Sequence, residues 1–250
     1  MTIYLAGSFK MKSKSGFLVN PDRTPKPSCL ESFYYLSDDE AQRIKYCDKF
    51  ILDSGAFTFF SSKNASNVKW EEYVDRYADF IVRNDIKNFF ELDIDKLVGY
   101  EKVLELRRRL EKKAERPSIP VWHKFRGKDN YLKMCDQYGY VAIGGIVSRE
   151  IMPSHYGLFP WFIDQAHKRQ AKIHGLGFTS LKWLPKCHFD SVDSTAWISG
   201  QKFGHVYAFN GETMVTRHRQ DGERMAHHTI ICEQNFNEWI KFQKWAEVHL

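Results

Sequence analysis

Residues 49–93 read KFILDSGAFTFF (49–60), WEEYVDRYADFIVRN (70–84) and NFFELD (88–93), and this succession decides the fold. The first and last begin as short apolar runs that stop at an acid. In the middle stretch Tyr73, Val74, Tyr77, Phe80 and Ile81 recur at helical spacing on one face. Strand, amphipathic helix and strand together make a βαβ unit, whose two strands run parallel.

The same rhythm continues on both sides. Apolar runs recur at IYLAG (3–7), IPVWHKF (119–125), YVAIGGI (140–146), AKIHGLGF (171–178), HFDSV (188–192) and HVYAF (205–209). Helical patterns fall between or after them at 100–116, 129–139, 158–170 and 235–250. The last presents Phe236, Trp239, Ile240 and Trp245 as a packing stripe. Eight apolar runs in 250 residues predict an α/β fold, a (β/α)8 TIM barrel formed as one domain. Two segments break the rhythm, 8–30 and 210–229. Both are basic, the second through Arg217, Arg219 and Arg224, and both read as loop insertions near the barrel face that carries active sites.

Composition narrows the class. A hydrophobic content of 43% and an aromatic content of 15% allow a sizeable core, which argues against disorder. No apolar run approaches the ~20 residues that span a bilayer, and MTIYLAGSFKMKSKSG has no signal-like apolar stretch. The expectation is a soluble, cytoplasmic protein with no membrane partner. The five cysteines stand singly, with no C-x-x-C spacing, so neither a disulfide framework nor a cysteine-rich zinc site is suggested. A formal charge of +6 favours a polyanionic partner.

Acids gather at the ends of the apolar runs. Asp53 ends one, Asp93 and Asp95 another, and Asp190 and Asp193 lie in or beside the seventh. Parallel barrel strands bring their ends to one mouth, where a carboxylate is poorly solvated unless used or paired. Asp53 in DSG could equally close an Asx turn, and Asp93 could cap the next helix. Asp190, inside FDSV, reads as the functional member of its pair, with Asp95 and Asp193 supporting or capping.

DSGAF (53–57), ELD (91–93), VAIGGI (141–146), HGLGF (174–178) and FDSVDST (189–195) resemble, in order and rough separation, the motifs of tRNA-guanine transglycosylases. The resemblance covers about residues 49–195. It implies that Asp190 is the nucleophile that attacks C1′ of a guanosine, and that Asp53 is the general acid/base. Phe57 would stack on the base, His174 would line its other face, and Asp93 would read the guanine amidine edge. His123 falls where the family has glutamine. Gly144, Gly145 and Ile146 would offer backbone contacts, and Ser54 joins the substrate-binding set. The residue types suit the chemistry: one carboxylate traps the sugar cation, and a second moves the base proton.

The family's cysteine-rich zinc motif is missing. His218, His227, His228 and Cys232 lack the spacing of a four-ligand site, so no metal is expected. No cofactor is expected either. That departure makes the chain most similar to the smaller DpdA-type branch, which puts 7-deazaguanines into DNA. The expected partners are therefore DNA and a free 7-deazaguanine base. A tRNA substrate, simple N-glycoside hydrolysis and a non-catalytic nucleic-acid-binding barrel stand as alternatives.

Overall fold

The computed structural model describes residues 1–60, 68–199, 205–217 and 228–250. Its centre is a curled seven-stranded parallel sheet: β1 (Thr2–Ala6), β4 (Cys29–Ser32), β5 (Phe50–Asp53), β6 (Val121–Trp122), β7 (Tyr140–Ile143), β8 (Lys172–Gly175) and β9 (Ser191–Ser194). They lie in the order β5-β4-β1-β9-β8-β7-β6. A small hairpin, β2 (Lys12–Ser13) with β3 (Gly16–Phe17), sits in the loop after β1. Between the two edge strands, Phe89 and Phe90 make single parallel bridges to Leu52 and Ile119.

The helices among the described residues are α1 (Asp38–Ala41), α2 (Ala56–Phe60), α3 (Trp70–Arg83), α4 (Asp95–Val98), α5 (Tyr100–Ala114), α6 (Lys128–Gln137), α7 (Phe159–Lys168) and α8 (His228–His249). None is long and apolar enough to cross a membrane. In α3 the expected stripe is fully inside: Tyr73, Val74, Tyr77, Phe80 and Ile81 are all buried. The helix ends where Asn84 folds its side-chain amide back onto the Phe80 carbonyl, 2.9 Å away, and Asp85 turns left-handed. Its apolar face packs beside α5 over one flank of the sheet. The C-terminal helix α8 buries Phe236, Trp239, Ile240 and Phe242, each contributing roughly 1.5–3 kcal/mol of transfer free energy. It begins seven residues earlier than the aromatic stripe alone indicated.

Two expectations are corrected. HVYAF supplies no strand to the parallel sheet; β10 (Val206–Phe209) pairs antiparallel with β11 (Met214–Arg217) and packs on α8. The place between β1 and β5 is taken instead by β4, which starts within the segment 8–30 read as a loop. That strand carries only one strongly apolar residue, Leu30, and its buried acid is answered from elsewhere. Glu31 Oε1 accepts from the Ser8 and Phe9 backbone N–H groups, and the Ser28 N–H donates to Gln243 on α8.

Strand alternation splits the core into layers. Ile3, Leu5, Val141, Ile173 and Val192 face outward to the helices, while Tyr4, Leu30, Ile51, Phe90, Val121 and Ala142 fill the inside of the curl. The chain leaves β5 through Gly55, whose φ of 81° belongs to the left-handed region. A Cβ there would fall 2.5 Å from the Tyr34 Cβ. Gly55→Ala should therefore lower stability by about 2–3 kcal/mol. An unchanged urea midpoint would show that this turn has room to relax.

Candidate active site

A cavity of about 760 Å³ opens at the C-terminal ends of the parallel strands. Of the residues expected there, Asp53, Phe57, Asp93, His123 and Gly145 line it, as does Asp95. So does Asp193, which had been read as a supporting residue.

Asp53 closes β5. Its Oδ2 accepts from the Gly55 N–H at 2.9 Å, so the Asx turn exists and does not exclude a chemical role. Burial drives its carboxyl up to about 7, and the charges of Asp93 and Asp193 push the same way against the Gly55 bond. A carboxyl that exchanges its proton near neutrality suits acid–base work.

Asp93 and His123 face each other, with Oδ2 to Nε2 at 3.0 Å, and His123 Nδ1 lies 3.5 Å from Glu150. Burial disfavours charge on the imidazole, but the bonds to Asp93 and Glu150 outweigh it and lift His123 to about 9. Burial would likewise raise Glu150; His123 and Lys96, 3.4 Å away, instead hold it at about 2. His123 is thus an imidazolium between two carboxylates at neutral pH. Gly144 lies directly behind it: a Cβ at that position would sit 2.9 Å from the imidazole Cε1.

The FDSVDST motif divides differently from expectation. Asp190 precedes β9, at the opposite end of the strand from the cavity. Its Oδ2 accepts from the Ile173 N–H at 2.8 Å and meets His167 Nε2 of α7 at 2.9 Å. Three residues on, roughly 10 Å along a strand, Asp193 points inside the curl. Its Oδ1 accepts from the Gly177 N–H and meets His174 Nε2 at 3.2 Å. Both contacts fall on Oδ1, and Oδ2 has no protein partner among the described residues. Asp193, not Asp190, is therefore the acid of this motif that faces the cavity, and Asp190 packs between β8, β9 and α7.

Four further expected residues lie off the cavity wall. His174 is fully buried inside the curl, with its ring centroid 6.2 Å from that of Tyr4 and 5.1 Å from that of Phe90. It bridges Asp193 to Ser191 Oγ, 2.6 Å from Nδ1, and Ser191 also meets the Tyr140 hydroxyl. It orients the acid and does not face the cavity. Ser54 is buried, bonding the Ala56 N–H, while Ile146 packs on the outer core and Gly144 backs His123. Sequence reading missed Glu31, Lys10, Tyr35 and Phe125, all on the cavity wall. Glu31 carries the clearest signal, an acid at a strand end, but its strand was not recognised. Burial raises it to about 7 despite its bonds to Ser8 and Phe9.

Two of the three arginines of α5 are engaged by acids, while Arg108 is exposed. Arg107 is buried against Glu91 at 2.6 Å, and Arg109 clamps the Asp75 carboxylate at 2.7 Å from two nitrogens. Arg126 forks onto Asp95 at 2.7 and 2.6 Å and reaches Glu91 at 3.2 Å. Asp95 is thereby the outer end of a buried ion network that fixes the strand end carrying Asp93. Of the histidine-rich segment, His218, Arg219, Arg224 and His227 lie outside the described residues. Among the described residues no three His, Cys, Asp or Glu side chains come together as a metal site. In comparisons with known proteins, neither a family model nor a curated sequence matches the chain.

Proposed function

We propose that this protein exchanges a guanine in a polynucleotide, with DNA the favoured polymer, for a free 7-deazaguanine base. The observation that carries the reading is the meeting of Asp53, Asp93 and Asp193, from three separate strand ends, around one cavity that also holds Phe57. Asp193 Oδ2 forms a bond to C1′ as the bond from C1′ to the base nitrogen breaks, giving a glycosyl ester. Asp53, protonated in part at neutral pH, gives its proton to the departing guanine. The incoming base returns a proton to Asp53 as its nitrogen attacks C1′ and releases Asp193. Asp93 accepts hydrogen bonds from N1–H and the 2-amino group, two donors that adenine cannot present together. These residues supply the whole reaction, so this reading requires no cofactor. We also infer that residues 88–91, through the Phe89 and Phe90 bridges, occupy the eighth position of a complete (β/α)8 ring.

The test is transfer of labelled base into a guanine-containing DNA oligonucleotide and, in parallel, into folded tRNA. Label entering tRNA alone would replace the polymer and keep the chemistry. Release of guanine with no label taken up would mark a hydrolase. No covalent intermediate and no release would overturn the reading.

The pH dependence follows from Asp53. The protonated form is the active one for base departure, so kcat/KM should fall as pH rises through about 7. Asp53→Asn should be slow and should lose this alkaline limb. A wild-type profile flat from about pH 6 to 8.5 would remove Asp53 from the proton transfer.

A further inference from the structure

The cavity has a rim whose chemistry differs from its floor. Tyr35, Phe57 and Phe125 stand after β4, after β5 and after β6, each lining the cavity yet 56, 58 and 53% exposed. Val147, after β7, continues the arc at 61% exposed. Soluble proteins seldom leave three aromatic rings so open on one edge, and such an arc marks a contact surface. Two cations share the rim. Lys10, after β1, reaches Glu40 only at 3.8 Å, and Lys96 meets Glu150 at 3.4 Å with about half its side chain in solvent.

We propose that this rim is a stacking platform for the nucleotides flanking the target, so that the substrate is an unpaired DNA strand. The inference rests on the base-exchange reading and names its substrate more closely. An aromatic ring gains most from a base whose face is free; in a duplex both faces are already covered by neighbouring bases. Exposed rings around a cavity of about 760 Å³ therefore match a strand whose bases are splayed. Lys10 and Lys96 complement its phosphates, in keeping with the net charge of +6. A duplex would first have to unpair and flip its guanine, at a further cost.

The experiment measures binding apart from chemistry. A fluorescent single-stranded DNA oligonucleotide with one central guanine is titrated by anisotropy against the wild type, Asp193→Ala, Tyr35→Ala, Tyr35→Phe and Phe125→Ala. The same strand is then presented as a duplex, and as RNA. Single strand should bind at least about tenfold tighter than duplex, and Tyr35→Ala and Phe125→Ala should each lose about tenfold. Tyr35→Phe, which keeps the ring, should stay near wild type; Asp193→Ala serves to read binding with no exchange in progress. Because Tyr35 and Phe125 are exposed, circular dichroism of their variants should be unchanged, which excludes misfolding as the cause. Equal affinity for duplex and single strand, unaltered binding by both alanine variants, or preference for RNA would overturn the proposal. Wild-type binding without exchange would leave the platform standing and sink the transglycosylase; exchange on duplex and single strand alike would do the reverse.

Discussion

Asp193→Ala should abolish the proposed base exchange, lowering it at least about a thousandfold, whereas Asp190→Asn should leave the rate within a few-fold of wild type. The contrast rests on where two acids of one short motif end up. Asp193 is held by Gly177 N–H and His174 through one oxygen, so the other is presented to the cavity in a fixed orientation. In the proposed reaction, removing it takes away the group that bonds to the sugar. Asp190 ties the Ile173 backbone and His167 at the far end of the strand. The asparagine variant keeps its shape and one acceptor oxygen. Single-turnover transfer of labelled guanine, with the covalent adduct trapped on a denaturing gel, measures both. A folded Asp190→Asn protein without activity, beside an active Asp193→Ala protein, would return the nucleophile to Asp190.

The second large effect is on stability. Glu91→Ala should cost about 3–5 kcal/mol, since it strands buried positive charge. Its carboxylate takes the Arg107 Nε–H at 2.6 Å and the Arg126 Nη1–H at 3.2 Å, and also holds the Val121 backbone N–H at 2.7 Å. Arg126 keeps Asp95 after the substitution; Arg107 keeps no acid among the described residues. Glu91→Gln should lie between, because it retains acceptors while losing the charge. Urea unfolding at neutral pH reads the difference, and a Glu91→Ala midpoint equal to wild type would show that water reaches the network. Loss of this anchor should also weaken base binding, since the same chain turn carries Asp93.

Much of the fold was legible because periodicity survives wherever a helix or strand has one apolar side. The α3 stripe is of that kind, while β1, β5, β7 and β8 bury both faces and read as short continuous runs. β4 was not legible: its polar residues are buried because Ser8, Phe9 and Gln243 answer them, and those partners are 20 to more than 200 positions away. HVYAF fails the other way, since its apolar character serves a hairpin against α8. In the candidate site, Asp53 and Asp93 stood out as acids closing apolar runs, whereas His123 came only from the family resemblance. Asp190 and Asp193 could not be ranked from residue type. Strand polarity decides between them, and locating the first residue of β9 requires the neighbouring strands. Burial of His174 likewise depends on Tyr4 and Phe90, which come from other parts of the chain.

The position of β1 has a consequence for how the chain acquires its shape over time. β1 lies inside the sheet, with β4 on one side and β9 on the other. Its first partner follows within about thirty residues, but Thr2 meets Ser191, 189 positions later. Closing so long a loop is entropically costly and belongs late in assembly. Until then one edge of the first strand carries unpaired backbone groups, and an open edge of that kind invites pairing with other chains. The same late step brings Asp193 to the cavity. Completion of the acidic cavity and protection of the first strand's edge are therefore acquired in one event.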